Sequence, residues 1–299
     1  MSWIFLALLV PLIYAIITLI DDNLLSYVYR SPRVAAAISG LFGVLPALIV
    51  VGIADVDKVP IKLILLSLAT GALTVISYYL YFQGLSRTSP SVVAALMSLS
   101  PAIIPFIAYF AVGERLGLSA ILGFSIVIVA AVCYSMVEMG EFRLSKALIP
   151  VFFAGLSLDF VAVINKYVYS HTNFLNAYFY YCIGLVIAGM VLMSFFNQID
   201  KKTLATIFQR RYILLVLLLV FAEVLSLVAG FMFCKALSLG PVSLVAAIEN
   251  IQPIFVLLIT LSFFKLAPHF FLEAKSPGIK TKALLSLAMI FGVYVAVRG

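Results

Sequence analysis

The sequence predicts an all-α polytopic membrane protein, with ten transmembrane helices arranged as two inverted five-helix repeats. Three observations carry that expectation. Of 299 residues, 65% are hydrophobic and only 10% charged, with a mean hydropathy of +1.23; an ordinary soluble domain has about 45–50% apolar and roughly 25% charged residues. The apolar residues fall into ten runs, each near the roughly 20 residues a helix needs to cross the hydrocarbon core. A segment of the first half also recurs in the second at a fixed offset. A water-soluble enzyme is excluded, because no soluble core would hide this much apolar surface. Lipid cannot satisfy backbone groups, so the runs must be helices; strands would alternate, and these do not.

The runs follow in order. Residues 2–24 start at Trp3 without a basic leader or small-residue cleavage site, so they are expected to form a retained helix rather than a signal peptide. That helix closes at Asp21 and Asp22, which are expected to be solvated. Residues 34–53 carry Gly40 and Gly43, a small-residue surface for close helix packing. Residues 62–83 carry Gly71, Thr74, Tyr78 and Tyr81 at i, i+3, i+7 and i+10, one helical face too polar for lipid. Residues 91–112 contain Pro101 and end at Gly113-Glu114, and 117–137 follow after a short link. Residues 146–169 hold Asp159 and Lys166, two turns apart. Residues 174–196 open with Tyr178, Tyr180 and Tyr181, read as an interfacial aromatic belt, and continue into a second packing surface at Gly184, Ala188 and Gly189. Residues 212–235 present Glu223, Ser226, Gly230 and Phe233 on one face. Residues 241–264 contain Glu249, Asn250, Gln252 and Pro253, and 283–298 complete the set. Only 197–211 and 265–282 are long enough for surface structure of their own.

The net charge of +7 (19 Lys+Arg, 12 Asp+Glu) does not point to nucleic acid, because basic residues border the apolar runs. Arg210-Arg211 and Lys280-Thr281-Lys282 read as anchors near lipid phosphates. Ten spans put both termini on one face. Thirteen basic residues fall in the loops of the opposite face and six elsewhere, which by the positive-inside rule places the termini outside. Cys133, Cys182 and Cys234 each lie within an apolar run and read as small buried hydrophobes. His171 and His269 sit in loops without metal-ligand spacing, and no phosphate loop or nucleophile elbow occurs, so neither a metal, a cofactor nor a catalytic group is expected.

Residues 84–107 align without gaps to 236–259 at an offset of 152, with Leu85/Leu237, Ser86/Ser238, Ser91/Ser243, Val93/Val245, Ala94/Ala246, Ala95/Ala247, Pro101/Pro253 and Ile107/Ile259 identical. A weaker register at offset 144 pairs Leu12, Ile20 and Ser26 with Leu156, Ile164 and Ser170. The expected units are therefore 1–140 and 141–299. An odd number of spans per unit inverts the second copy, the plan of many secondary transporters.

With its small-residue helix, Pro101 and terminal Gly113-Glu114, the chain resembles the drug/metabolite transporter superfamily, specifically its EamA-like ten-helix branch. Such units often carry an acid directly before the helix-four proline, where Ser100 and Gln252 stand here; Lys265-Leu266 replaces the second Gly-Glu. The resemblance implies movement of small organic molecules through a central cavity between two halves. It also implies cytoplasmic termini, opposite to the charge count.

An acid at mid-bilayer costs at least about 2.5–3.5 kcal/mol unless paired, hydrated or protonated. Asp159, Glu223 and Glu249 are such acids, and their repeat equivalents are Ala15, Gly71 and Met97. Carboxylates present in one copy alone point to a specialised polar site. The tyrosine face of one half beside the carboxylate face of the other suits an organic cation, through charge and cation–π attraction. Pro101 and Pro253 each free a carbonyl four residues back, at Met97 and Glu249. Beside Asn250 and Gln252 this makes a polar notch that can ligand substrate or flex during gating. Lys166 is expected to snorkel towards the headgroups.

The expected substrate-binding set is thus Asp159, Glu223, Glu249, Gln252, Asn250, Tyr78, Tyr81, Thr74 and Ser226, with Pro101 and Pro253 as kinks. The expected function is that of a secondary transporter in the cell (inner, cytoplasmic) membrane. It moves a small organic metabolite, suited to an amine or other cation, by alternating access. Burial penalises the charged form of a carboxyl group, so Glu223 or Asp159 holding a proton until cation arrives would give proton-coupled exchange. Export of amino acids or xenobiotics is the alternative within the class; a membrane enzyme or lipid-handling protein is the alternative outside it. The partners expected are a small-molecule substrate, the bilayer and protons. A homodimer is not required, because duplication already supplies the pairing, and a monomer suffices.

Overall fold

The computed structural model describes residues 2–25, 29, 31–54, 59–88, 90–97, 99–139, 148–207, 213–263 and 278–298. Arg210-Arg211, Lys265-Leu266 and His269 lie outside the described residues. Among the described residues the chain is helical, with no strand.

The first span is α1 (Ser2–Leu24). The second is α2 (Pro32–Phe42) followed by α3 (Val44–Ile53), with a break at Gly43. Its cause is local: Pro46 has no N–H for the carbonyl of Phe42, and the Gly43 N–H turns to the Gly40 carbonyl instead, at 3.1 Å. α4 (Ile61–Leu85) is continuous. The fourth span is built from α5 (Pro90–Met97), a 3-10 turn (Ser100–Ile103) and α6 (Ile104–Val112). α7 (Leu118–Met139), α8 (Leu148–His171) and α9 (Phe174–Ser194) follow. α10 (Gln198–Ile207) is a short helix, tied to the start of α2 where Ser31 donates to Asp200 at 2.6 Å and Arg33 pairs with it at 3.6 Å. α11 (Ile213–Leu239), α12 (Val242–Glu249) with α13 (Gln252–Phe263), and α14 (Ile279–Arg298) complete the chain.

Eight spans are long and apolar enough to cross a membrane, and two shorter apolar helices, Ser100–Val112 and Leu118–Tyr134, bring the expected number to ten. Leu48, Phe110, Leu118, Leu214 and Leu284 are more than half exposed, an apolar perimeter suited to acyl chains rather than water.

The interior is assembled by small residues. α4 lies so close to α9 that a Cβ on Gly71 would meet the Tyr181 carbonyl and stand 2.7 Å from the Leu185 nitrogen; one on Gly184 would meet the Leu68 carbonyl. A Cβ on Gly40 of α2 would stand 3.2 Å from the Gly189 Cα of α9, and one on Gly123 of α7 would meet the Gly292 carbonyl of α14. In a membrane such backbone contact supplies the dispersion that hydrophobic burial cannot. α1 packs along α11 and α4 along α8, which brings the two chain halves together around a common centre.

Both spans four and nine are interrupted. α5 ends at Met97, four residues before Pro101, and α12 ends at Glu249, four before Pro253. A proline supplies no N–H to the carbonyl four residues back and its ring crowds it. The Met97 carbonyl is recaptured by the Ser100 hydroxyl at 3.2 Å.

Two contacts tie elements together on the face that carries both termini. Gly113, at φ 68°, ends α6 in the left-handed conformation that glycine adopts without strain. Glu114 then accepts from the Val242 and Ser243 N–H groups at 2.7 and 3.1 Å. Those groups are orphan donors at the start of α12, where a negative charge is also favoured by the helix dipole. Lys166 donates to the Leu237 and Gly240 carbonyls at 2.9 and 2.8 Å, capping the end of α11. The expected snorkelling of Lys166 is therefore corrected: its ammonium group is engaged by orphan carbonyls at the end of a neighbouring helix. Lys282 is likewise buried, 5.9 Å from the Tyr134 ring centroid, rather than acting as a surface anchor.

Candidate functional site

A cavity of about 170 Å³ lies at the centre, lined by residues of α1, α2, α4, α5, α8, α9, α11, α12 and the two proline breaks. Roughly 10–15 Å³ of such space accommodates one water, so the room suits a water cluster or a small organic molecule. Asp159, Glu223, Glu249, Asn250, Gln252, Thr74, Tyr78, Tyr81, Ser226 and Pro101 all line it. The sequence-selected polar residues, drawn from four separate spans, thus meet around one space. Pro253 is not among the lining residues; it terminates the hydrogen-bond ladder beside those that are.

Each carboxylate has its own surroundings. Glu223, on α11, is buried and accepts at Oε1 from the Ser39 hydroxyl at 2.6 Å and the Tyr29 hydroxyl at 3.1 Å. Both donors come from the first half of the chain. Asp159, on α8, is 4% exposed, and its Oδ2 has no hydrogen-bond partner. It is positioned by Gly155 one turn earlier, where any Cβ would strike the Ser100 hydroxyl. Glu249 ends α12 at the break, facing the cavity. Gln252 donates to Thr18 at 3.0 Å, joining α13 to α1. Asn250 is 5% exposed with its amide nitrogen unpartnered.

The structure adds residues that the sequence reading left out. Asp21, expected to be solvated, is 7% exposed, lines the cavity and accepts from the Tyr81 hydroxyl at 3.2 Å. Tyr14, Thr18 and Asp21 stand at i, i+4 and i+7, the same one-face spacing that marked α4, and all three line the cavity. Tyr181 is no belt residue: it lines the cavity and donates to Thr74 at 3.3 Å. Asn165 also lines it, held by Thr70 at 2.7 Å. Gly71, placed with Thr74 on the polar face, instead packs on the backbone of α9. Its partners on the other face, Glu223, Ser226, Gly230 and Phe233, do line the cavity.

Four carboxylates, Asp21, Asp159, Glu223 and Glu249, therefore share one cavity. Among the described residues no Lys, Arg or His lines it, and none of the four has an ion-pair partner. Aromatic walls come from Tyr14, Tyr78, Tyr81, Phe82, Tyr181 and Phe233. Among the described residues no group of three or more His, Cys, Asp or Glu side chains is placed to hold a metal ion.

Residues 1–136 match the family model of the EamA-like transporter family. The resemblance read from the sequence is thereby shown over that stretch, which spans α1 to α7, and it is a family of membrane transporters for small molecules. The chain is accordingly a multi-pass membrane transporter. A solved crystal structure, titled only as that of a protein, covers 98% of this chain and 94% of its own, with a TM-score of 0.66 at 16% identity. At that identity the likeness speaks for the fold alone. No curated protein matches the chain.

Proposed function

We propose that this EamA-like protein is a secondary transporter that carries a small organic cation, such as an amine, through the central cavity by alternating access. The observation that carries the reading is the set of four cavity carboxylates facing no basic side chain among the described residues. Unpaired acids at this depth are costly unless a proton or a cationic ligand neutralises them. Exchange of one for the other couples cation movement to a proton gradient. Asp159, Glu223 and Glu249 supply the charge. Thr74, Ser226, Asn250 and Gln252 supply hydrogen bonds, and Tyr78 and Tyr81 supply ring faces for a cation. Residues 1–140 and 141–299 act as the two rocking units, with the breaks at Pro101 and Pro253 taking up the bending. The cell (inner, cytoplasmic) membrane is the site of action.

The test is amine flux into proteoliposomes under an imposed pH gradient. Wild-type protein is expected to accumulate the amine in proportion to the gradient, and Glu223→Gln to lose that dependence. Transport by Glu223→Gln with unchanged gradient dependence would remove Glu223 from coupling. Stabilisation of the protein by anions or neutral amino acids, but not by amines, would overturn the cation preference.

A further inference from the structure

The four carboxylates are not clustered at one depth, and the helix registers give their spacing. Asp21 is bonded to Tyr81 of α4. Asp159 lies on α8 between Asn165, which meets Thr70 of α4, and Ala154, whose carbonyl meets Ser77 of α4. Six residues from one contact and five from the other, Asp159 stands level with Thr74. Seven helical residues separate Thr74 from Tyr81, about 10 Å of axis at 1.5 Å per residue. An independent route gives a similar figure. α1 and α12–α13 run in the same direction and are pinned together by the Thr18–Gln252 bond. Asp21 lies three residues past that bond and Glu249 three residues before it, about 9 Å apart along the axis. Glu223 is tied to Ser39, whose neighbour Gly40 packs on Val75 of α4, one residue from Thr74.

We infer that the cargo is a linear dication, an aliphatic chain with an ammonium group at each end, spanning a shallow carboxylate station at Asp21 and a deep one at Asp159 and Glu249. The inference rests on the cation reading above and goes beyond it. A single ammonium reaches one station and leaves the other bare. Two ammonium groups on one chain neutralise both, each with three N–H donors to place. The deep station also carries an unsatisfied acceptor for an ammonium N–H: Asp159 Oδ2 is buried without a partner. Between the stations, Ile17 on α1 and Tyr78 on α4, both at intermediate registers, give methylene groups an apolar and aromatic path.

The experiment is calorimetric titration of the full-length protein in detergent with α,ω-diaminoalkanes from two to eight carbons and the matching monoalkylamines. The expected result is an optimum at intermediate chain length. The best diamine should bind at least about tenfold more tightly than its monoamine, equal to about 1.4 kcal/mol. In Asp21→Asn the diamine is expected to lose its advantage over the matching monoamine. The length profile of the wild-type protein is a second measurement that needs no variant. Equal affinity for both series, or no length optimum, would overturn the dication and leave the cation reading standing. Absence of binding by every amine, with binding of an anion or neutral metabolite, would overturn both.

Discussion

Gly71 offers a sharp test of how the cavity wall is held. It sits where α4 touches α9, and an added Cβ would stand 2.7 Å from the Leu185 nitrogen and 2.8 Å from the Gly184 carbonyl carbon, besides striking the Tyr181 carbonyl. All three are backbone atoms, so no side chain can swing aside; the helices themselves must part. Overpacking of this kind costs about 1–3 kcal/mol, and the Tyr181–Thr74 bond across the same contact, already 3.3 Å, would lengthen with it. Gly52, on α3, has nothing within 4 Å of its would-be Cβ. There alanine gains helix propensity of about 0.5–1 kcal/mol with nothing to displace. Thermal unfolding in detergent should therefore move in opposite directions for the two glycine-to-alanine changes. At roughly 2–4 °C per kcal/mol, Gly71→Ala should lower the midpoint by several degrees, and Gly52→Ala should hold or raise it slightly. Gly71→Ala at or above wild-type stability, or Gly52→Ala equally damaging, would refute the close-packing account.

Two further outcomes follow from the caps. Glu114→Ala removes the acceptor for two N–H groups of α12 and should cost about 1–2 kcal/mol; Glu114→Gln, which keeps an acceptor without the charge, should fall between it and wild type in the same melting assay. Lys166→Met keeps the chain length but strips two carbonyls of their donor, a loss of about 1–3 kcal/mol, and should lower the midpoint without the recovery that Lys166→Arg allows.

Much of this was legible in the residues. Mid-run acids such as Asp159 and Glu223 stand out because hydropathy around them leaves no other use for them, and i, i+3, i+7 spacing found the tyrosine face. Asp21 escaped because the end of an apolar run beside Asp22 reads as a wetted terminus. Its burial is conferred by Tyr81, sixty residues away in sequence. Tyr14 and Thr18 on the same face were the signal that could have found it. Gly71 was placed on the cavity side because a glycine carries no side chain to mark its own face; only the closeness of α9 decides it. The position of Lys166 near a helix end predicts a side chain reaching for the headgroups, whereas its partners are backbone carbonyls, which no side-chain pattern displays.

The bond from Glu114 to the start of α12 joins the chain's two halves through an acid that the duplication did not preserve. Under the 152-residue register the matching residue in the sequence is Leu266, which carries no carboxylate. On the proposed alternating-access reading, opening the membrane face that bears the termini breaks this charged clasp. On that reading a single side chain lends the molecule a preferred resting posture.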